Sequence, residues 1–122
     1  MENQISFSTL GNEYVRMLRD KINNSENITD LKHHFAFTVI DFLNQIFEKS
    51  LLDIDADDIK FDPNIEDLYI LSERLKNDLE FKKIWDISDL KHVIYKFAES
   101  ANGRYIHINK HNEKTNKKIR QP

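Results

Sequence analysis

Apolar residues recur along this chain at helical spacing, interrupted by short polar breaks. Leu10, Tyr14, Met17, Leu18 and Ile22 form one stripe at period 3.6, with Arg16, Arg19 and Asp20 off it. The spacing predicts a helix that begins near Ser8 or Thr9, where a hydroxyl can cap free backbone N–H groups, and that ends in the polar run 23–27. The next segment, with Thr29 or Asp30 as its cap, is the most apolar in the protein. Leu31, Phe35, Val39, Phe42 and Ile46 make a stripe that Phe37, Ile40, Leu43 and Phe47 widen. A helix apolar over most of its circumference is covered from several sides, so residues 30–49 are predicted as the core helix. Leu51, Leu52 and Ile54 carry that character into the following connection, as a turn folded back on the core.

Asp62-Pro63 reads as a helix start, because aspartate caps and proline gives up an N–H that would be unpaired at the first position. Ile65, Leu68, Leu71, Leu75 and Leu79 continue from it at helical spacing, and Asn77-Asp78 is a possible break that leaves Phe81, Ile84 and Trp85 on a short helix. A last helix, capped by Asp86 or Ser88, carries Leu90, Val93, Ile94, Phe97, Ala98 and Ala101, and Asn102-Gly103 is predicted to close it. Tyr105 to Ile108 reads as a short strand or as the start of another helix. Beyond it, in residues 109–122, Ile119 is the one aliphatic side chain. The pattern therefore predicts an all-α protein: a compact bundle of four to five helices in residues 1–108, followed by a flexible basic tail in residues 109–122.

Composition supports the helical class. The 122 residues include two glycines and two prolines, far fewer than sandwiches or barrels use in their turns. Gly11 and Gly103 stand alone, so no Gly-rich phosphate loop is present. The absence of cysteine removes disulfides, thiol nucleophiles and zinc ribbons together. No apolar run approaches the ~20 residues of a membrane span, and MENQISFSTL lacks the basic and apolar regions of a secretory signal. The expectation is a soluble, cytoplasmic protein that does not engage membranes.

Charge is the strongest remaining signal. Residues 1–103 hold 12 Lys/Arg against 20 Asp/Glu, whereas residues 104–122 hold 6 against Glu113 alone. Asp53, Asp55, Asp57, Asp58, Asp62, Glu66 and Asp67 crowd one segment, opposed only by Lys60. Like charges this close repel, so the segment is expected to stay solvated and to project a negative field.

Candidate chemistry is sparse. Asp53-x-Asp55-x-Asp57 opens like a calcium loop, but Asp58 and Asn64 stand where such a loop needs glycine and a bidentate glutamate. His107 and His111 would share a helix face without a third fixed ligand, and the adjacent His33 and His34 diverge. No metal and no cofactor are expected. Arg104-x6-His111 resembles the Arg-x4–6-His motif near the end of the helical ribonucleases of the HEPN group. That resemblance implies His111 as acid or base at a ribose hydroxyl and Arg104 as the stabiliser of phosphorane charge. The match is confined to these two residues and follows Gly103. Lys110, Lys114, Lys117, Lys118 and Arg120 offer a second route to nucleic acid through phosphate contacts, which the acidic body opposes.

The leading expectation is a non-enzymatic module that binds a basic protein. Asp53, Asp55, Asp57, Asp58, Asp62, Glu66 and Asp67 would steer the partner, and Tyr69 and Trp85 would be buried at the contact centre. Inhibitors and immunity proteins that mask a nuclease toxin fit this role, because an acidic face can stand in for substrate phosphates. A HEPN-like ribonuclease and a nucleic-acid-associated regulator are the alternatives, and nucleic acid is not the expected partner.

Overall fold

The computed structural model describes residues 5–48 and 53–120, the side chains of residues 111–120 excepted. Its described elements run in the order α1 (Ser8–Ile22), α2 (Ile28–Phe47), β1 (Ile59–Phe61), β2 (Tyr69–Leu71), α3 (Glu73–Lys76), α4 (Leu79–Ile87) and α5 (Leu90–Arg120). The protein is mostly helical, but it is not all-α, because β1 and β2 form a small antiparallel sheet.

Helices α1, α2 and α5 pack against one another pairwise. Leu31, Phe35, Val39, Phe42 and Leu43 of α2 are fully buried, as a central helix requires. Phe42 lies between Tyr14 of α1 and Phe97 of α5, with ring centroids 5.6 and 5.2 Å away. Phe37 departs from the expected apolar face: it is 53% exposed and rests beside His33. α1 and α5 run in the same direction, since Gly11 meets Val93, Arg19 bonds Ser100, and Ser25 just beyond α1 bonds Arg104. Their closest approach depends on Gly11, where a Cβ would stand 2.4 Å from Val93 Cγ1.

The helix starts use short polar side chains, though not always the expected ones. Asn27, not Thr29 or Asp30, caps α2 by accepting from the Asp30 N–H at 2.9 Å. Asp78 caps α4 by accepting from the Phe81 N–H at 3.0 Å, so the break at Asn77-Asp78 is real. α1 borrows its cap from a distant residue: Asp89 accepts from the Phe7 N–H and from the Ser6 and Ser8 hydroxyls, each at 2.8 Å.

Two expectations are overturned by tertiary packing. The helix expected after Asp62-Pro63 is instead the hairpin turn, with Ile59 opposite Leu71, Lys60 opposite Ile70 and Phe61 opposite Tyr69. Ile59, Phe61, Tyr69 and Leu71 point into the core while Lys60 and Ile70 face out, a period of two. Leu68 closes the turn in the left-handed region, at φ 67°, with its carbonyl accepting from the Asp62 N–H at 2.8 Å. The second concerns Gly103, which does not end α5. A helical glycine costs about 1 kcal/mol relative to alanine. Buried Ala101 and Ile108, and Tyr105 against Phe61 at 6.1 Å, keep that face of the helix packed beyond it. The helix therefore passes the 108/109 boundary at which the tail was expected to begin. Leu51 and Leu52, expected to fold back on the core, lie outside the described residues. Among the described residues, no helix is long and apolar enough to cross a membrane.

Candidate functional site

The acidic segment, Asp53 to Asp67, spans the approach to β1, β1 itself and the hairpin turn. Its first half is built around a carboxylate that does not face solvent. Asp58 is 2% exposed, and its own backbone is committed to the loop: its N–H donates to Asp55 O and its carbonyl accepts from Ser72 N–H, both at 2.9 Å. One carboxylate oxygen accepts from Arg74 Nε at 2.8 Å and Ser72 Oγ at 2.6 Å. The other accepts from Arg74 Nη2 at 2.6 Å and the Asp55 N–H at 2.9 Å. Burial pushes the Asp58 carboxyl up, but the hydrogen bonds from Arg74, Ser72 and Asp55 together outweigh it and hold the group below its ordinary value of 3.8.

Arg74 also donates to the Asp53 carbonyl and stands 3.9 Å from the Asp55 carboxylate. Asp53, Asp55 and Asp58 therefore gather round one guanidinium, whose planar fork can serve several acceptors at once. Asp57 is exposed, with Lys60 at 3.8 Å. The expectation of a uniformly solvated cluster is corrected here: Asp58 is a buried tie, and Asp53, Asp55 and Asp57 are what the loop presents.

The remaining candidates surround the hairpin without converging. Asp62 accepts from the Asn64 N–H at 2.9 Å and, with Asp57, Lys32, His33 and Tyr105, lines a groove of about 700 Å3 between hairpin, α2 and α5. Glu66 and Asp67 are exposed at the turn. Tyr69 is buried at 7% exposure, so its ring fills the core and is not available as a surface anchor. Burial, then the nearby Asp67 charge, push its phenol above the ordinary tyrosine value. Trp85 is half-buried and stacks on Phe81 at 5.3 Å, in a separate hollow with Leu71, Lys76 and Asp86.

No group of three His, Cys, Asp or Glu among the described residues is placed to hold a metal. Arg104 Nε and Nη2 both donate to the Ser25 carbonyl, at 3.2 and 2.8 Å, which fastens α5 to the α1–α2 connection. The His111 side chain lies outside the described residues, so the two members of the ribonuclease-like motif are not seen together. No protein-family model, curated protein or solved structure matches the chain.

Sequence reasoning missed Arg74 as the organiser of the acidic loop. The signal was thin, namely a single arginine between positions 20 and 103. It also missed the basic groove that α1 and α5 form, because Lys96 is remote in sequence from Arg16 and Arg19, which read only as positions off the apolar stripe of α1.

Proposed function

We propose that the protein is a small, non-enzymatic binding module that receives a basic protein partner on its acidic hairpin. The observation that carries this reading is the Asp58–Arg74 tie, which fixes the loop backbone while leaving Asp53, Asp55 and Asp57 exposed at its surface. Carboxylates held in place before contact lose less freedom on binding than carboxylates on a loose segment. Asp62 at the base of the turn, and Glu66 and Asp67 within it, extend the same sign of charge, so a basic surface would be steered towards the hairpin as a whole. Half-buried Trp85 supplies an aromatic edge at the periphery in this reading, and Tyr69 contributes only by supporting β2.

Such a surface suits an inhibitor or immunity-type protein that masks a basic partner, for example a nuclease toxin, with carboxylates where the partner would meet phosphates. That step rests on electrostatic analogy alone. The cysteine-free chain is compatible with action in a reducing cytoplasm.

Affinity capture from the native host tests the reading when two baits are run side by side. One bait is the wild type; the other carries Asp53→Asn, Asp57→Asn, Glu66→Gln and Asp67→Asn. A basic protein identified by mass spectrometry on the wild type and absent from the variant is the expected result. A principal partner retained equally by both baits would remove the hairpin from the interface.

A further inference from the structure

On a body of net negative charge, one groove is basic. Asn12, Val15, Arg16 and Arg19 of α1 and Lys96, Glu99, Ser100 and Gly103 of α5 line an open groove of about 670 Å3. Arg16, Arg19 and Lys96 face a single carboxylate there, that of Glu99. None of the three cations makes an ion pair among the described residues, and the one polar tie among them is Arg19 Nε to Ser100 Oγ at 3.3 Å.

Gly103 supplies a second, independent observation. It sits inside α5, where glycine is unfavourable by about 1 kcal/mol relative to alanine. Its backbone does not require it, since no glycine here has a positive φ. Packing does not require it either, because a Cβ at this position would meet nothing within 4 Å. Gly11, which allows α1 to reach Val93, has a packing reason; Gly103 has none among the described residues. What its missing side chain does is keep the groove open beside three unpaired cations, and close approach of a ligand to backbone is one of the uses of glycine.

The helix also extends the charge beyond the groove. Lys96, Ser100, Gly103, His107 and Lys110 follow at spacings of four and three, so they share one face of α5. At 1.5 Å per residue, Lys96 to Lys110 spans about 21 Å. In the sequence the same spacing continues with Lys114 and Lys117. Lys96 and Lys110 thus set two cations about 21 Å apart on one face, a separation that a polymer with repeated anions can bridge and a single free phosphate cannot. Arginine guanidinium groups suit the paired oxygens of a phosphodiester.

We propose that the α1/α5 groove binds the phosphodiester backbone of single-stranded nucleic acid, with Arg16, Arg19 and Lys96 contacting phosphates and Gly103 leaving room for the strand. This site lies apart from the acidic hairpin, so its failure would leave the protein-binding proposal standing, and the reverse also holds.

The test is fluorescence anisotropy with a labelled uridine RNA homopolymer, its thymidine DNA counterpart and labelled poly-glutamate, each titrated over a range of salt. Binding of either oligonucleotide by the wild type is expected, weakening steeply with salt. Equal RNA and DNA affinities assign the contact to phosphate alone; preference for RNA adds a contact to the ribose hydroxyl. Arg16→Ala/Arg19→Ala/Lys96→Ala is expected to weaken binding about tenfold or more and to flatten the log–log salt slope by about 2, at ~0.7 per lost single-strand contact. Gly103→Leu, which changes no charge and starts from an open Cβ position in a helix that disfavours glycine, is expected to weaken binding with a melting temperature no lower than that of the wild type. Three results would each overturn the proposal: no binding of either oligonucleotide at low salt, affinity unchanged in either variant, or poly-glutamate bound as tightly as the oligonucleotides.

Discussion

Asp58 and Arg74, 16 positions apart, meet through two parallel hydrogen bonds of 2.8 and 2.6 Å, the carboxylate 3% and the guanidinium 51% exposed. The pair joins the loop before β1 to the start of α3, and so closes the hairpin from the side opposite its turn. Because Arg74 remains in contact with water, the pair avoids much of the desolvation that makes fully buried ion pairs marginal. Removing the arginine strands a carboxylate that has almost no exposure. Arg74→Ala is therefore expected to lower the melting temperature more than Lys76→Ala, which loses only an exposed contact with Glu73. Equal melting temperatures for the two variants would show that the tie contributes nothing to the fold.

The same pair predicts how stability responds to acid. Burial pushes both Asp58 and Asp89 up, but their hydrogen bonds prevail and each carboxyl lies below its ordinary value of 3.8. A carboxyl with a lower pKa folded than unfolded contributes stability that is complete above the unfolded value and is lost as pH falls through the folded value. Unfolding free energy measured by urea titration is thus expected to hold steady down to about pH 5 and to decline below it. Asp58→Asn should lower the plateau and make the acid decline shallower. A decline as steep as that of the wild type would mean that Asp58 titrates alike in both states.

The two glycines predict opposite responses to one substitution. At Gly103, alanine meets nothing and gains helix propensity, so Gly103→Ala is expected to raise stability by about 0.5–1 kcal/mol. At Gly11, the new methyl falls on Val93, whose branched side chain has little freedom to turn away within a helix. Gly11→Ala is expected to be destabilising, by about 1–3 kcal/mol, and Val93→Ala in the same chain should recover part of the loss. Stabilisation by both alanines would contradict the close approach of α1 and α5.

Phe42 is fully buried between Tyr14 and Phe97. Phe42→Ala is expected to cost about 3–5 kcal/mol in chemical denaturation. A loss of less than about 1 kcal/mol would mean that α2 is not the centre of the core.

These residues also indicate how far the sequence could be read. The apolar periodicity located α1, α2 and α4, and it identified Phe42 and the Asn77-Asp78 break, because long amphipathic segments repeat their signal several times. The hairpin was hidden for the converse reason. β1 and β2 have three residues each, too few to display a period of two, while Ile65, Leu68, Leu71 and Leu75 coincide with helical spacing. Leu68 accepts a left-handed conformation that nothing in its side chain announces. At the candidate site, charge placed the acidic segment but could not separate Asp58 from its neighbours. Its burial follows from the hairpin, which carries Arg74 back to it. Gly103 read as a stop, and only the packing of Ala101, Tyr105 and Ile108 shows why the helix continues.

If the hairpin carboxylates steer a basic protein, the association rate of the captured partner must carry the signature of that field. Measured by stopped flow from low to physiological ionic strength, the rate is expected to fall steeply with salt for the wild type, as screening shortens the reach of the acidic field. The variant with Asp53→Asn, Asp57→Asn, Glu66→Gln and Asp67→Asn should associate more slowly at low salt and respond little to added salt. A variant that associates as fast as the wild type at low ionic strength, with the same salt dependence, would show that these carboxylates play no part in steering the partner.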